Sequence, residues 1–227
     1  MATLALIHTS QVFLKVETMM QDLFREIMPE VRLINIMDDS LLPDVVAEQR
    51  ILPEVTRRMC AYVVAAEAAG ADAVLSLCSS LGPAIDTARP LVRIPVIKID
   101  DAHTEKAVRE YRRIGAMATV ATTLGPTLDL LREKAAALGK EVELHPSLSE
   151  RAFQVLMAGG REEHDSMVVE AACRLAPEVD VILFCQASMA RLAPRVERET
   201  GRPVLASPRL AIEYTKRVLD GLAGAGS

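Results

Sequence analysis

The sequence predicts an α/β protein of two related lobes, each a parallel β-sheet flanked by helices. Three observations predict this class: short apolar runs alternate with longer helix-compatible stretches, the composition is rich in aliphatic residues, and one segment of the chain is repeated. Of the 227 residues, 50% are apolar and 25% charged, whereas only 3% are aromatic. This balance favours helices packed on parallel strands over an aromatic-rich β-sandwich.

Apolar runs of strand length recur along the chain, at residues 4–7, 31–36, 73–77, 96–99, 118–121, 142–144 and 181–184. Between them, residues 54–69 place apolar side chains on one helical face and stop at Gly70. Residues 126–138 begin with a proline and end before Gly139, which is typical of the two ends of a helix. The alternation predicts right-handed βαβ units and parallel sheets.

An internal repeat relates residues 71–97 to residues 179–205. Each segment runs from an aspartate through an apolar strand to a cysteine, then through a helix to a proline and a second apolar stretch. The spacing from Cys78 to Pro95 and that from Cys185 to Pro203 differ by one residue. Upstream, hydroxyl side chains follow the first strand of each half, Thr9 and Ser10 in one and Thr122 and Thr123 in the other. The repeat predicts two related lobes. We assign residues 1–99 with 208–227 to the first lobe and residues 100–207 to the second.

Charge and cysteine content exclude several classes of protein. A net charge of −5 gives no basic field for nucleic acid or an anionic membrane. The N-terminal apolar run is too short to span a membrane and lacks the preceding basic residues of a signal peptide, so we expect a cytoplasmic protein. In that compartment the four cysteines are expected to be thiols. No cysteine or histidine has metal-ligand spacing, so no metal site is expected.

The two repeated cysteines, Cys78 and Cys185, are the candidate reactive groups. Ligands of parallel sheets bind outside the carboxyl ends of the strands, where both cysteines are expected. A helix start after each would favour thiolate and a bound carboxylate. If the lobes face each other across a cleft, the two thiols could remove and return a proton on opposite faces of one carbon. We find no nucleotide or pyridoxal-phosphate motif and expect no cofactor.

The segments ADAVLSLCSS, VATTLGPT and VDVILFCQASMARL, in this order and spacing, resemble the cofactor-independent aspartate/glutamate/hydantoin racemase superfamily along nearly the whole chain. The resemblance implies two pseudo-symmetric flavodoxin-like lobes, an active site in the cleft between them, and Cys78 and Cys185 as the two bases. It implies a racemase or epimerase of a small carboxylate or hydantoin, without pyridoxal phosphate. The residues implied to hold the substrate carboxylate are Thr9, Ser10, Ser79, Ser80, Thr122, Thr123, Gln186 and Ala187.

The chain departs from the superfamily at several of these positions. Amino-acid racemases commonly carry Asn-Thr after the first cysteine and Thr-Glu or Thr-His after the second, where this chain has Ser79-Ser80 and Gln186-Ala187. Glutamate racemases also have Asp-Ser where this chain has His8-Thr9-Ser10, which argues against glutamate as substrate. The alternatives are a cis-trans isomerase with a cysteine nucleophile, as in maleate isomerase, and a non-catalytic carboxylate-binding protein. Two cysteines disfavour a decarboxylase.

The histidines and the two other cysteines have less specific sequence contexts. His8 either tunes Cys78 or binds substrate, or it is a histidine bonded to neighbouring backbone. The other histidines, His103, His145 and His164, are expected at the surface or in loops. Cys60 and Cys173 lie within predicted helices and are expected to be packing residues. Residues 159–165 are expected to form a charged connection before a helix at 166–176. A homodimer or higher homo-oligomer is expected for an enzyme of this size.

Overall fold

A computed structural model describes residues 1–11 and 18–225 of the chain. The chain divides into two units, Met1–Ile99 with Pro208–Ser227, and Asp100–Ser207, here called unit 1 and unit 2. Each unit contains its own parallel sheet. The α/β class and the parallel sheets predicted from the sequence are confirmed.

Unit 1 alternates strands and helices. Its elements are β1 (Thr3–His8), α1 (Met19–Ile27), β2 (Arg32–Met37), α2 (Leu41–Glu48), α3 (Pro53–Ala68), β3 (Ala73–Ser76), α4 (Gly82–Ala88) and β4 (Val96–Lys98). The sheet order is β2-β1-β3-β4, with every pair parallel. A buried cluster that includes Ile7, Met59 and Val74 joins this sheet to α3.

Unit 2 repeats this arrangement. Its elements are α5 (Asp101–Glu110), β5 (Arg113–Ala118), α6 (Ala121–Leu138), β6 (Glu143–Leu148), α7 (Glu150–Met157), α8 (Arg161–Leu175), β7 (Val181–Phe184), α9 (Ala193–Thr200) and β8 (Val204–Leu205), and α10 (Ser207–Ala225) then returns to unit 1. The sheet order is β6-β5-β7-β8, also parallel. A buried cluster that includes Met117, Val168 and Phe184 joins the sheet to α8.

In each unit, the first strand begins with the same hydrogen bond to an aspartate that precedes the neighbouring central strand. The backbone N–H of Thr3 donates to Oδ2 of Asp72 at 2.7 Å, and the N–H of Arg113 donates to Oδ2 of Asp180 at 2.9 Å. Each aspartate stands directly before the strand that pairs with the first strand of its unit. Asp72 and Asp180 therefore occupy corresponding positions in the two units.

Two predicted elements of unit 2 begin at other residues than expected. The strand predicted at 118–121 ends at Ala118, and α6 already begins at Ala121, so Pro126 lies inside that helix and not at its start. The apolar run at 118–121 spans the end of a strand and the start of a helix, which periodicity over four residues does not separate. This part of the prediction is wrong.

The charged segment 159–165 is largely helical and is not a connection. Helix α8 begins at Arg161, so Glu162 and Glu163 lie in its first turn. Acidic side chains there are stabilised by the positive end of the helix dipole. The acidic run is therefore a helix start, and the predicted boundary at residue 166 is wrong.

Replacing Gly115 by alanine is expected to lower the free energy of unfolding by about 1–3 kcal/mol, because neighbouring side chains already fill the space that a Cβ would need. A Cβ at this buried β5 position would lie 2.7 Å from Cδ2 of Leu175 and 3.1 Å from Cγ1 of Val179. Gly125→Ala in α6 is the matched control, since a Cβ there meets no atom within 4 Å. Urea unfolding of both variants measures the difference, and equal midpoints would contradict the expectation.

Candidate active site

Cys78 lies at the carboxyl edge of the unit 1 sheet. It directly follows Leu77, whose N–H donates to the carbonyl of Ile7 at 3.0 Å and so extends the pairing of β3 with β1. Cys78 is partly exposed and packs at the margin of the unit 1 core, and Ser79 and Ser80 beside it are buried. The structure therefore places these three predicted site residues together, with the thiol as the one that is partly exposed.

The other predicted residues of unit 1 lie at the same edge. Thr9 follows β1, and its carbonyl accepts a hydrogen bond from the N–H of Leu42 at 3.3 Å. Thr9 is buried and Ser10 is half-buried. Because β1 and β3 are adjacent parallel strands, Thr9 and Cys78, which follow them, lie at the same carboxyl edge of the sheet.

Gln186 lies at the carboxyl edge of the unit 2 sheet. Its side-chain oxygen accepts hydrogen bonds from the N–H of Thr119 at 2.6 Å, the hydroxyl of Thr119 at 3.1 Å and the N–H of Val120 at 3.2 Å. The side chain thus ties the end of β7 to the residues that follow β5. Ala187 next to it is buried and begins a short 3₁₀ turn that ends at Leu192.

The ends of the central strands show which residues of the two units correspond. The N–H of Leu77 donates to the carbonyl of Ile7 at 3.0 Å, and the N–H of Cys185 donates to the carbonyl of Met117 at 2.9 Å. Leu77 and Cys185 therefore occupy the same place in their sheets. The repeat deduced from the sequence, in which the two cysteines correspond, is wrong by one residue.

Cys78 corresponds instead to Gln186. Both residues have extended backbones, with φ −140° and ψ 114° for Cys78 and φ −128° and ψ 127° for Gln186. Each carbonyl accepts the first hydrogen bond of a 3₁₀ turn, from Leu81 at 3.4 Å and from Met189 at 3.1 Å. The sequence carried this signal, because Gln186 precedes its proline by the same spacing as Cys78 precedes Pro95.

Cys185 is fully buried. Successive residues of a strand point to opposite faces of the sheet, so the side chain of Cys185 lies on the face opposite to Phe184. Burial raises the pKa of the Cys185 thiol, the negative charge of Asp100 raises it further, and a hydrogen bond with Thr127 only partly opposes the shift. The structure thus does not place this thiol beside an accessible sheet edge.

Thr122 and Thr123 lie in the first turn of α6 and do not directly follow a strand. Thr123 is buried, and its hydroxyl donates to the carbonyl of Val120 at 2.7 Å. The residue that follows β5 as Thr9 follows β1 is Thr119, which sequence reasoning missed. Its signal was a hydroxyl residue directly after the apolar run 114–118, three positions ahead of the threonine pair that was chosen.

His8 is a buried residue at the end of β1. Its Nε2 lies 2.8 Å from Oδ1 of Asn35, and burial lowers the pKa of His8 although this hydrogen bond opposes the shift. His8 and Asn35 line a cavity of about 310 Å³ against α1, together with apolar residues such as Phe24 and Leu33. The described residues that line this cavity include Leu77 but not Cys78.

A charged cluster follows β2 in unit 1. Asp38 accepts hydrogen bonds from Nη1 of Arg58 at 3.1 Å, the hydroxyl of Tyr62 at 2.7 Å and the hydroxyl of Ser40 at 2.6 Å. Burial favours a higher pKa for Asp38, but these donors together hold it below its ordinary value. Because Arg58 also contacts Asp44 at 2.5 Å, its charge is compensated within the cluster.

Two other histidines and two other cysteines differ in how deeply their side chains are buried. His103 and His164 are buried and not at the surface, whereas Cys173 is exposed on α8 and does not pack in the core. Cys60 packs against the unit 1 core, as expected. The histidine and cysteine positions differ because both residue types occur in either environment, and periodicity within one helix did not separate them.

Across residues 1–11 and 18–225, no group of three or more histidine, cysteine, aspartate or glutamate side chains is arranged to hold a metal ion. Within the same ranges, none of the helices combines the length and the apolar character that crossing a membrane requires.

Matches to known proteins cover most of the chain. The family model for Asp/Glu/hydantoin racemase matches residues 13–215. None of the curated proteins matches the chain significantly.

Solved structures with this fold include racemases. An allantoin racemase from Klebsiella pneumoniae matches with a TM-score of 0.67 at 20% identity, over 100% of this chain and 89% of that one. A glutamate racemase from Bacillus anthracis matches with a TM-score of 0.71 at 15% identity, over 97% and 82%. An aspartate racemase from Picrophilus torridus matches with a TM-score of 0.66 at 12% identity, over 96% and 94%. At these identities the likeness shows the fold.

Proposed function

Because the chain belongs to the Asp/Glu/hydantoin racemase family, we propose that it racemises or epimerises a small carboxylate or hydantoin with Cys78 as its proton-transferring thiol. The observation that carries this proposal is the position of Cys78, partly exposed at the carboxyl edge of β3. Ligands of parallel sheets bind at this edge. The family match supports an enzyme of the racemase and isomerase type.

The proposed chemistry begins with removal of a proton from the carbon next to a carboxylate or hydantoin carbonyl. The Cys78 thiolate takes the proton, so that an S–H bond forms, the C–H bond breaks and the electron pair moves onto the carbonyl oxygen. Hydrogen-bond donors at the sheet edge stabilise the charge on that oxygen. Thr9, Ser10, Ser79 and Ser80 are the proposed donors of unit 1.

Inversion also needs a proton on the opposite face of the carbon. The sequence resemblance assigns this step to Cys185, with Thr122, Thr123, Gln186 and Ala187 as further substrate-binding residues. The burial of Cys185 and its raised pKa weigh against that assignment, because a general acid or base works best with a pKa near the operating pH. Cys78 alone is therefore the thiol on which our proposal depends.

A second candidate function is favoured by the glutamine at the position that corresponds to Cys78. With one thiol at the sheet edge, Cys78 could add to the double bond of a small dicarboxylate such as maleate. Rotation about the resulting single bond and loss of the thiolate would then give the trans isomer. This reaction needs a nucleophile and no second thiol.

The proposal is tested by incubation in D₂O with both enantiomers of aspartate and glutamate, with allantoin and with 5-substituted hydantoins, followed by mass spectrometry and chiral chromatography. We expect at least one compound to gain deuterium and change configuration, and Cys78→Ala to remove both effects. Conversion of maleate without such exchange would support the isomerase. Saturable binding without any conversion would instead indicate a non-catalytic binding protein and contradict the proposal.

A further inference from the structure

We propose that this protein uses a single thiol, Cys78, and that Gln186 is a positioning residue standing where a second thiol would belong. The inference rests on the proposed function and specifies its mechanism. It starts from the correspondence of Cys78 with Gln186, given by strand register, backbone conformation and the 3₁₀ turn that follows each residue.

The side chain of Gln186 cannot carry the proton that a thiol would carry. An amide neither gains nor loses a proton at neutral pH. Its oxygen is also occupied, since it accepts from the N–H and hydroxyl of Thr119 and from the N–H of Val120. These N–H groups, which stand at the end of β5, therefore serve the protein's own glutamine and not a substrate anion.

Cys185 does not replace the missing thiol. It is fully buried, and it hydrogen-bonds to Thr127 of α6. The buried groups around it include Asp100, whose negative charge disfavours a thiolate, and α5 carries the buried His103. A thiol in this setting is a packing residue of unit 2.

One thiol gives a different labelling pattern from two. Cys78 would remove a hydrogen and return one to the same face, while solvent would protonate the opposite face. In D₂O the thiol exchanges its hydrogen, so deuterium enters the recovered substrate with retained configuration. Two thiols on opposite faces would label the inverted product and leave the recovered substrate unlabelled.

The first test is alkylation of the folded wild-type protein with iodoacetamide, followed by peptide mass spectrometry. We expect Cys78 to be alkylated about tenfold or more faster than Cys185, because access and thiolate character control this reaction. Cys185 should react only after unfolding in guanidinium. Alkylation of Cys185 at the rate of Cys78 in the folded protein would overturn the inference. This readout does not depend on a substrate, so it stands even if no compound is turned over.

The second test compares Cys185→Ala with wild type on any compound that exchanges deuterium. Turnover should stay within about threefold, because the change removes packing and no reacting group. If this variant does not fold, Cys185→Val fills the space instead. Loss of turnover in a folded variant would overturn the inference, whereas absence of exchange in wild type would contradict only the proposed function.

The third test places a thiol at the corresponding position of unit 2. Gln186→Cys should be alkylated at residue 186 in the folded protein about tenfold or more faster than Cys185. Gln186→Asn is the control, since it keeps an amide and adds no thiol. A wild-type protein that already labels only the inverted product would overturn the single-thiol mechanism.

Discussion

Replacing Cys78 by alanine is expected to lower turnover about 10³-fold, the usual loss when a positioned acid or base is removed. Cys78 is partly exposed at the end of β3, whereas the corresponding residue of unit 2 is an amide. No other thiol is therefore expected to take over proton transfer. The measurement is the initial rate of deuterium incorporation or inversion with the best compound of the panel.

Cys173→Ala is the matched control for this experiment. Cys173 is exposed on α8, so its removal tests whether an accessible thiol as such matters. We expect turnover of this control to equal that of the wild type, and Cys78→Ser to be as inactive as Cys78→Ala because a hydroxyl is a far weaker acid than a thiol. Residual activity of Cys78→Ala within tenfold of wild type would contradict the assignment of Cys78.

Acidification is expected to cost the protein about 3 kcal/mol of unfolding free energy through His103 alone. Burial lowers the pKa of His103 from 6.5 to about 4, and the backbone of Phe184 and Asp100 only partly opposes this. Between these pKa values the unfolded chain binds a proton that the folded protein does not. The contribution of His103 to the free energy of unfolding is therefore fully present above pH 6.5, and it is lost as the pH decreases towards 4.

The measurement is urea unfolding at pH 7, 5.5 and 4 for the wild type and His103→Asn. Asparagine does not titrate, so the variant should lose about 3 kcal/mol less over this range, whatever the substitution costs at pH 7. Carboxylates with lowered pKa values, such as Asp38 and Asp165, weaken both proteins equally and cancel in the comparison. Parallel pH dependences of the two proteins would contradict the role of His103.

Strands and helices were predictable where a stretch of sequence carried one consistent pattern of apolar residues. The buried strands at 4–7 and 181–184 are continuous apolar runs, and α3 ends before Gly70, whose φ of +81° favours glycine. Prediction failed at the start of α6, where one apolar run spans a strand end and a helix start. A sequence pattern of four residues holds no information on where the backbone changes conformation.

The cysteine repeat shows why the candidate site was only partly predictable. The sequence brought out Cys78 and Cys185 by residue type, but a shift of one residue moves a side chain to the other face of a sheet. Asp72 and Asp180 make the same contact with the first strand of their units, and this correspondence aligns Leu77, not Cys78, with Cys185. The unequal spacing to Pro95 and Pro203 was the visible trace of that shift.

The hydrogen bonds of the Gln186 side-chain oxygen make two backbone amides usable as probes of this sheet edge. Because this one atom holds the backbone hydrogens of Thr119 and Val120, their exchange with heavy water should be slow while the side chain stays in place. Any ligand or substitution that draws the glutamine away would free both hydrogens at once. Following these two amides by NMR would thus reveal occupancy of this sheet edge without knowledge of the reaction.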